Sequence, residues 1–172
     1  MPPSIPTTMK QLTMLKESLV NGLRGLYVTE CKLSITVSHI SNSTENQSLK
    51  AEFVVYLESL RRNIKEIERI FCLLKETVAL PVNPTQVESL NYSSFFNTPC
   101  REEEASGSFI RSLQQIIECK MFLYRNVYRL ASNQNLPKVA FILHEIFEFE
   151  QNTFVILNDI PGCNMKSRCA SR

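Results

Sequence analysis

Two carboxylates stand where the pattern of neighbouring residues asks for hydrocarbon. Glu30 falls in the run Leu12, Leu15, Leu19, Gly22, Leu26, Glu30, Leu33, Val37, Ile40, and Glu150 in the run Val139, Ile142, Ile146, Glu150, Thr153, Leu157, Ile160. Both runs step by three and four residues, the spacing of one face of an amphipathic helix. A carboxylate on such a face must be paired, protonated or bound to metal, because a bare charge is costly to remove from water. Glu118 lies beside a third such run, next to Ile117. Glutamates projecting inward from several helices are the raw material of a di-iron carboxylate site, which usually adds a Glu-x-x-His pair from each of two helices. This sequence contains no Glu-x-x-His. The ordinary alternative is a polar residue on an apolar face that reaches a helix end, a water or an arginine.

Other chemistry has less support. His144 and Glu148 share a helix face and could hold a metal weakly, although a surface histidine is the plainer reading. Cys119 next to Glu118 has no histidine at a spacing that would activate it. The six cysteines form no CxxC, so a zinc knuckle is not expected, and Cys31, Cys72 and Cys119 fit helical patterns in which a free thiol acts as a small buried hydrophobe. Asn42-Ser-Thr, Asn46-Gln-Ser and Asn91-Tyr-Ser match glycosylation sequons, which matter only if the chain is secreted.

Composition narrows the field further. With 172 residues, 44% of them apolar, the chain suits one domain with a real core. A net charge of +2 argues against a nucleic-acid partner, which would call for a basic face. Four glycines and two histidines leave no phosphate-cradling loop and little for a triad or a histidine-rich metal site. No apolar run is long enough to span a membrane. The first eight residues lack a basic-then-apolar leader pattern, so a cytoplasmic protein is expected, although a mature secreted chain would lack a leader too.

The carriers of Glu30, Glu118 and Glu150 are long helices. A second run, Leu49, Phe53, Tyr56, Leu60, Ile64, Ile67, Phe71, Leu74, follows the polar break Ser41-Asn42-Ser43-Thr44, and a short link of that kind makes an antiparallel hairpin. From Val78 to Ser108 the pattern fails, with Pro81, Pro84 and Pro99, and a long connector is predicted. The third run is Ile110, Leu113, Ile117, Met121, Tyr124, Tyr128, Ala131, and Pro137 opens the fourth helix. Thr8 is a candidate N-cap for the first helix, and Pro161-Gly162 closes the last. The prediction is all-α: a bundle over 9–160 built from two antiparallel hairpins, with tails at 1–8 and 161–172.

The order of these residues resembles the YciE/YciF family of ferritin-like proteins. The stretch Leu23-Arg-Gly-Leu-Tyr27-Val-Thr-Glu30-Cys-Lys-Leu33 is similar to that family's Leu…Tyr-x-Ala-Glu-Lys-Gln-Leu string. Leu49 to Arg69 resembles its second helix, Ile117-Glu118-Cys119-Lys120-Met121 its Val-Glu-His-Tyr-Glu, and Phe147-Glu148-Phe149-Glu150 its Leu-Asp-Glu-Glu. The resemblance implies a ferritin-like four-helix fold, a homodimer, a stress-linked cytoplasmic role and a carboxylate metal site. Carried over by position, Glu30, Glu58, Glu118 and Glu150 are its metal ligands. The chain departs from the family where Tyr56 replaces a histidine and Ser59 a glutamate. Cys119 and Met121 replace a histidine and a glutamate, and Phe149 and Phe154 stand at acidic positions.

Those departures remove charge and donor oxygens, whereas two divalent ions are normally offset by four or more carboxylates. Glu58 also sits off its run. The expectation is a ferritin-like scaffold with an eroded metal site, no cofactor and no turnover. The remaining inward glutamates should carry raised pKa values or hydrogen-bond to Tyr56, Asn63 or Tyr124. The competing expectations are a ferroxidase-type enzyme that binds iron or manganese through Glu30, Glu118 and Glu150, with His144 or a water completing the set, and a secreted four-helix signalling protein.

Overall fold

The computed structural model describes the backbone of residues 7–78 and 102–159, with side chains over 11–78 and 109–159. Four helices account for it: α1 (Thr7–Ser43), α2 (Gln47–Leu74), α3 (Glu102–Asn133) and α4 (Pro137–Asn158). No strand occurs among the described residues. α1 packs on α2 and α3, and α4 on α3 and α2, so the helices form a ring in the order α1, α2, α4, α3.

Local chemistry sets most of the ends. Asn46 caps α2, its side chain accepting from the Leu49 amide at 3.1 Å. α2 closes with Lys75 in the left-handed region (φ 55°), where the Lys75 and Glu76 amides bond back to Cys72 and Phe71. α3 ends the same way: Asn135 has φ 54°, and the Asn135 and Leu136 amides reach Ser132 and Ala131. This arrangement satisfies carbonyls that the last turn would otherwise leave open, and asparagine tolerates the conformation better than most residues. Pro137 opens α4, where its missing amide costs nothing.

Two boundaries and one stretch of the apolar pattern differ from the sequence reading. α1 starts at Thr7, so Thr8 lies inside the helix and does not cap it. α3 starts at Glu102, so the end of the predicted connector is helical. Leu12 and Leu15 are exposed although they continue the apolar run of α1. At Lys16, which pairs with Glu76 at 2.7 Å, and at Leu15, whose carbonyl accepts from Gln134, α1 is already level with the ends of α2 and α3. Its earlier turns therefore run past their partners. The reading at Pro161-Gly162 lies outside the described residues.

The core comes as two clusters. One holds Leu19, Leu23 and Leu26 of α1 with Ile67, Ile70 and Phe71 of α2, Tyr124, Val127 and Ala131 of α3, and Val139, Ala140, Ile142, Leu143 and Ile146 of α4. The other holds Leu33 and Val37 with Leu49, Phe53 and Leu60, Ile110, Leu113 and Ile117, and Leu157. These levels fix the directions: α1 and α4 run one way, α2 and α3 the other. The chain must therefore return the length of the bundle between Leu74 and Glu102, the single long crossover of ferritin-like bundles. α1 and α3 approach closely at Gly22, where a Cβ would sit 2.5 Å from a Val127 methyl.

A charged layer across the middle of the bundle

Between the two clusters the four helices bring polar side chains together: Glu30 from α1, Tyr56 and Asn63 from α2, Lys120 and Tyr124 from α3 and Glu150 from α4. All are buried, and Glu30, Asn63, Lys120 and Glu150 have 0% exposure. Lys120 is the hub. Its Nζ lies 2.9 Å from Glu30 Oε1 and 2.9 Å from Glu150 Oε1, and donates to the Tyr56 hydroxyl at 3.2 Å. An ammonium has three protons, and these contacts use all of them. Tyr124 donates to Glu30 Oε1 at 2.6 Å. The Asn63 amide donates to Glu150 Oε1 at 2.9 Å, and Tyr56 reaches Glu150 Oε2 at 3.4 Å. Tyr56, Asn63 and Tyr124, expected from the sequence as partners for inward glutamates, thus hold Glu30 and Glu150.

Burial and charge pull the titrations in opposite directions. Burial pushes the Glu30 carboxyl up, to a pKa of about 7; the Lys120 charge and the Tyr124 hydrogen bond hold it down, and the Glu150 charge adds to the rise. Burial disfavours the Lys120 cation, but Glu150 and Glu30 outweigh it and hold its pKa above the ordinary lysine value. Tyr124 is raised well above a free phenol by burial and by the facing glutamates. Lys120 therefore stays charged near neutral pH. With both carboxylates ionised the three side chains would sum to one negative charge, which a proton on Glu30 neutralises. Glu30 Oε2, Ser59 Oγ and Asn63 Oδ1 are buried without a partner.

The sequence-derived ligands divide. Glu30 and Glu150 meet in this layer. Glu58 and Glu118 are exposed, each two residues from a member of the layer and so turned roughly 200° away from it around the helix. His144 is exposed too, its ring 5.8 Å from that of Tyr128. Met121 and Phe154 pack against the second cluster, and Phe149 lies under the Arg62 guanidinium at 4.3 Å. Cys31, Cys72 and Cys119 are free thiols, but Cys72 and Cys119 are exposed and do not act as small core residues.

Lys120 is the member of the layer that the apolar spacing does not point to. The third run steps from Ile117 to Tyr124, and only position 120 or 121 can bridge that gap by threes and fours. Met121, the apolar one of the two, is the position that hydropathy favours. The bundle instead buries Lys120, and the run continues through Val127 in place of Tyr128. A charged residue at a position two glutamates could reach was the available signal.

A pair of divalent ions does not fit these donors. Two carboxylates line the layer where four or more are usual, and an ammonium sits between them where a shared cation would lie. Among the described residues no three His, Cys, Asp or Glu side chains gather into a metal-binding group.

Two antiparallel hairpins, one long crossover and an inward polar layer define an all-α, ferritin-like four-helix bundle. The chain belongs to the DUF892 family, a domain of unknown function, which it matches over residues 14–168. Its fold is similar to the Escherichia coli stress protein YciF, with 20% identity and a TM-score of 0.73 over 84% of this chain and 92% of that one. It is likewise similar to YcfI from Rhodopseudomonas palustris, described as a candidate structural protein, with 16% identity and a TM-score of 0.74 over 85% of this chain and 94% of that one. No curated protein matches it. None of the described helices is long and apolar enough to cross a membrane.

Proposed function

We propose that this chain is a stress-related scaffold of the YciF type: a ferritin-like bundle that binds no metal, has no catalytic turnover and works as a homodimer. The observation that carries this reading is Lys120 between Glu30 and Glu150. A protein cation fills the centre of the bundle, where a redox-active ion would have to sit. The stress link follows the description of YciF, and the description of YcfI agrees with a structural role. Exposed apolar side chains such as Phe122, Phe141, Val54 and Val55 offer surface for self-association.

The test is metal content by mass spectrometry, before and after incubation with Fe(II) in air. The expected result is less than about a tenth of an equivalent per chain, far below the one or two ions of a working carboxylate site. One or two irons per chain, lost on Glu30→Ala or Glu150→Ala, would overturn the reading in favour of a ferroxidase-type enzyme. Sedimentation of the purified chain tests the dimer.

A further inference from the structure

We propose that Lys120 is a resident cation that closes a latent site for one divalent ion, with oxygens from Glu30, Glu150 and Tyr56 around it. This rests on the metal-free reading above and adds what enforces it. With Glu58 and Glu118 turned to solvent only two carboxylates line the layer, which explains why two ions do not fit. It does not exclude one ion, because two carboxylates balance one divalent charge and six oxygen ligands from side chains and water suit a hard cation.

Three observations support the assignment. All four helices converge on the ammonium: Glu30 from α1, Tyr56 from α2, Lys120 itself from α3 and Glu150 from α4, with Asn63 donating to Glu150 beside it. Removing one side chain therefore leaves three converging oxygens, two of them carboxylate, with water to complete the shell. Second, the lysine leaves that shell incompletely used. Its three protons are spent, yet the second oxygen of Glu30, Oε2, is buried without a partner. An ion with a higher coordination number, carrying its own water, can use oxygens that an ammonium cannot. Third, the charge would balance: with the lysine gone and both carboxylates ionised, Glu30 and Glu150 offset one divalent ion.

The experiment uses full-length wild type, Lys120→Ala and Lys120→Met, each stripped with chelator and titrated with Mn(II) alone. Free Mn(II) is read by electron paramagnetic resonance and stability by thermal unfolding. Lys120→Ala should bind about one Mn(II) per chain, at least about 100-fold more tightly than wild type, with a melting temperature raised by several degrees in excess metal. Lys120→Met refills the space without charge and should bind none. Adding Glu150→Gln to Lys120→Ala should abolish uptake. A folded Lys120→Ala chain that binds no Mn(II), or whose uptake survives Glu150→Gln, sinks the proposal. If Lys120→Ala does not fold in stripped buffer, refolding on addition of Mn(II) supports it and failure to refold overturns it. Tight uptake by wild type itself would strike the metal-free reading, and with it the gatekeeping role of Lys120.

Discussion

Lys120 Nζ and Glu150 Oε1 lie 2.9 Å apart on neighbouring helices, both side chains sealed from solvent. Glu30 closes the other side of the same ammonium at 2.9 Å. A buried ion pair of this kind is weak evidence for stability in itself, since desolvation offsets much of its attraction. Its consequence is an asymmetry between breaking it and replacing it.

Lys120→Met leaves two buried carboxylates without a counter-charge and should cost about 3–5 kcal/mol. The triple variant Glu30→Gln, Lys120→Met, Glu150→Gln carries no charge in the layer and should recover about 2 kcal/mol or more of that loss. Urea unfolding of both variants checks it. A triple variant no more stable than the single one would mean that the charges are not what the layer depends on.

The same layer gives a pH dependence. Folding raises the Glu30 pKa from 4.5 to about 7, chiefly through burial. The folded state therefore holds that proton more tightly than the unfolded chain does. Its contribution to stability is complete below pH 4.5 and is lost as pH rises through about 7. The stability of wild type relative to Glu30→Gln should fall by on the order of 3 kcal/mol across that window. Lys120, raised above the ordinary lysine value, stays charged throughout it. Unfolding midpoints for the two proteins at several pH values decide the matter, and a flat difference would contradict the buried titration.

Two glycines of α1 should respond oppositely to alanine. At Gly22 a Cβ would meet Val127 Cγ1 at 2.5 Å, whereas nothing lies within 4 Å of one at Gly25. Gly22→Ala should lose about 1–2 kcal/mol, overpacking outweighing the gain in helix propensity, and Val127→Ala in the same chain should relieve part of the strain. Gly25→Ala should gain up to about 1 kcal/mol. Thermal melts of the variants distinguish the two positions.

The exposed glutamates should be silent. Glu58→Gln and Glu118→Gln lie away from the buried layer and should each change stability by no more than about 0.5 kcal/mol. Urea unfolding of each variant checks it, and a loss well above that in either would show that the buried layer depends on these surface carboxylates.

The cap of α2 offers a local control. Asn46 accepts from the Leu49 amide at 3.1 Å, and Asn46→Ala should cost about 1 kcal/mol without touching the core. Urea unfolding measures it, and an unchanged midpoint would mean that water replaces the cap.

The sequence by itself determined the four helices, because steps of three and four are a property of one chain's spacing and need no partner to be read. It also placed Glu30 and Glu150 on the inward faces, and named Tyr56, Asn63 and Tyr124 as the polar groups that could meet them. Only the tertiary structure decided which side of α3 turns inward. Between Ile117 and Tyr124, Lys120 and Met121 differ by about 100° around the helix axis, and hydropathy favours the methionine. Burial of Lys120 becomes favourable once glutamates from two other helices are within reach of its ammonium, and that proximity exists only after the bundle assembles. The exposure of Glu58 and Glu118 has the same origin. A residue's place on its own helix is local, but the identity of the opposite charge across the core belongs to the fold.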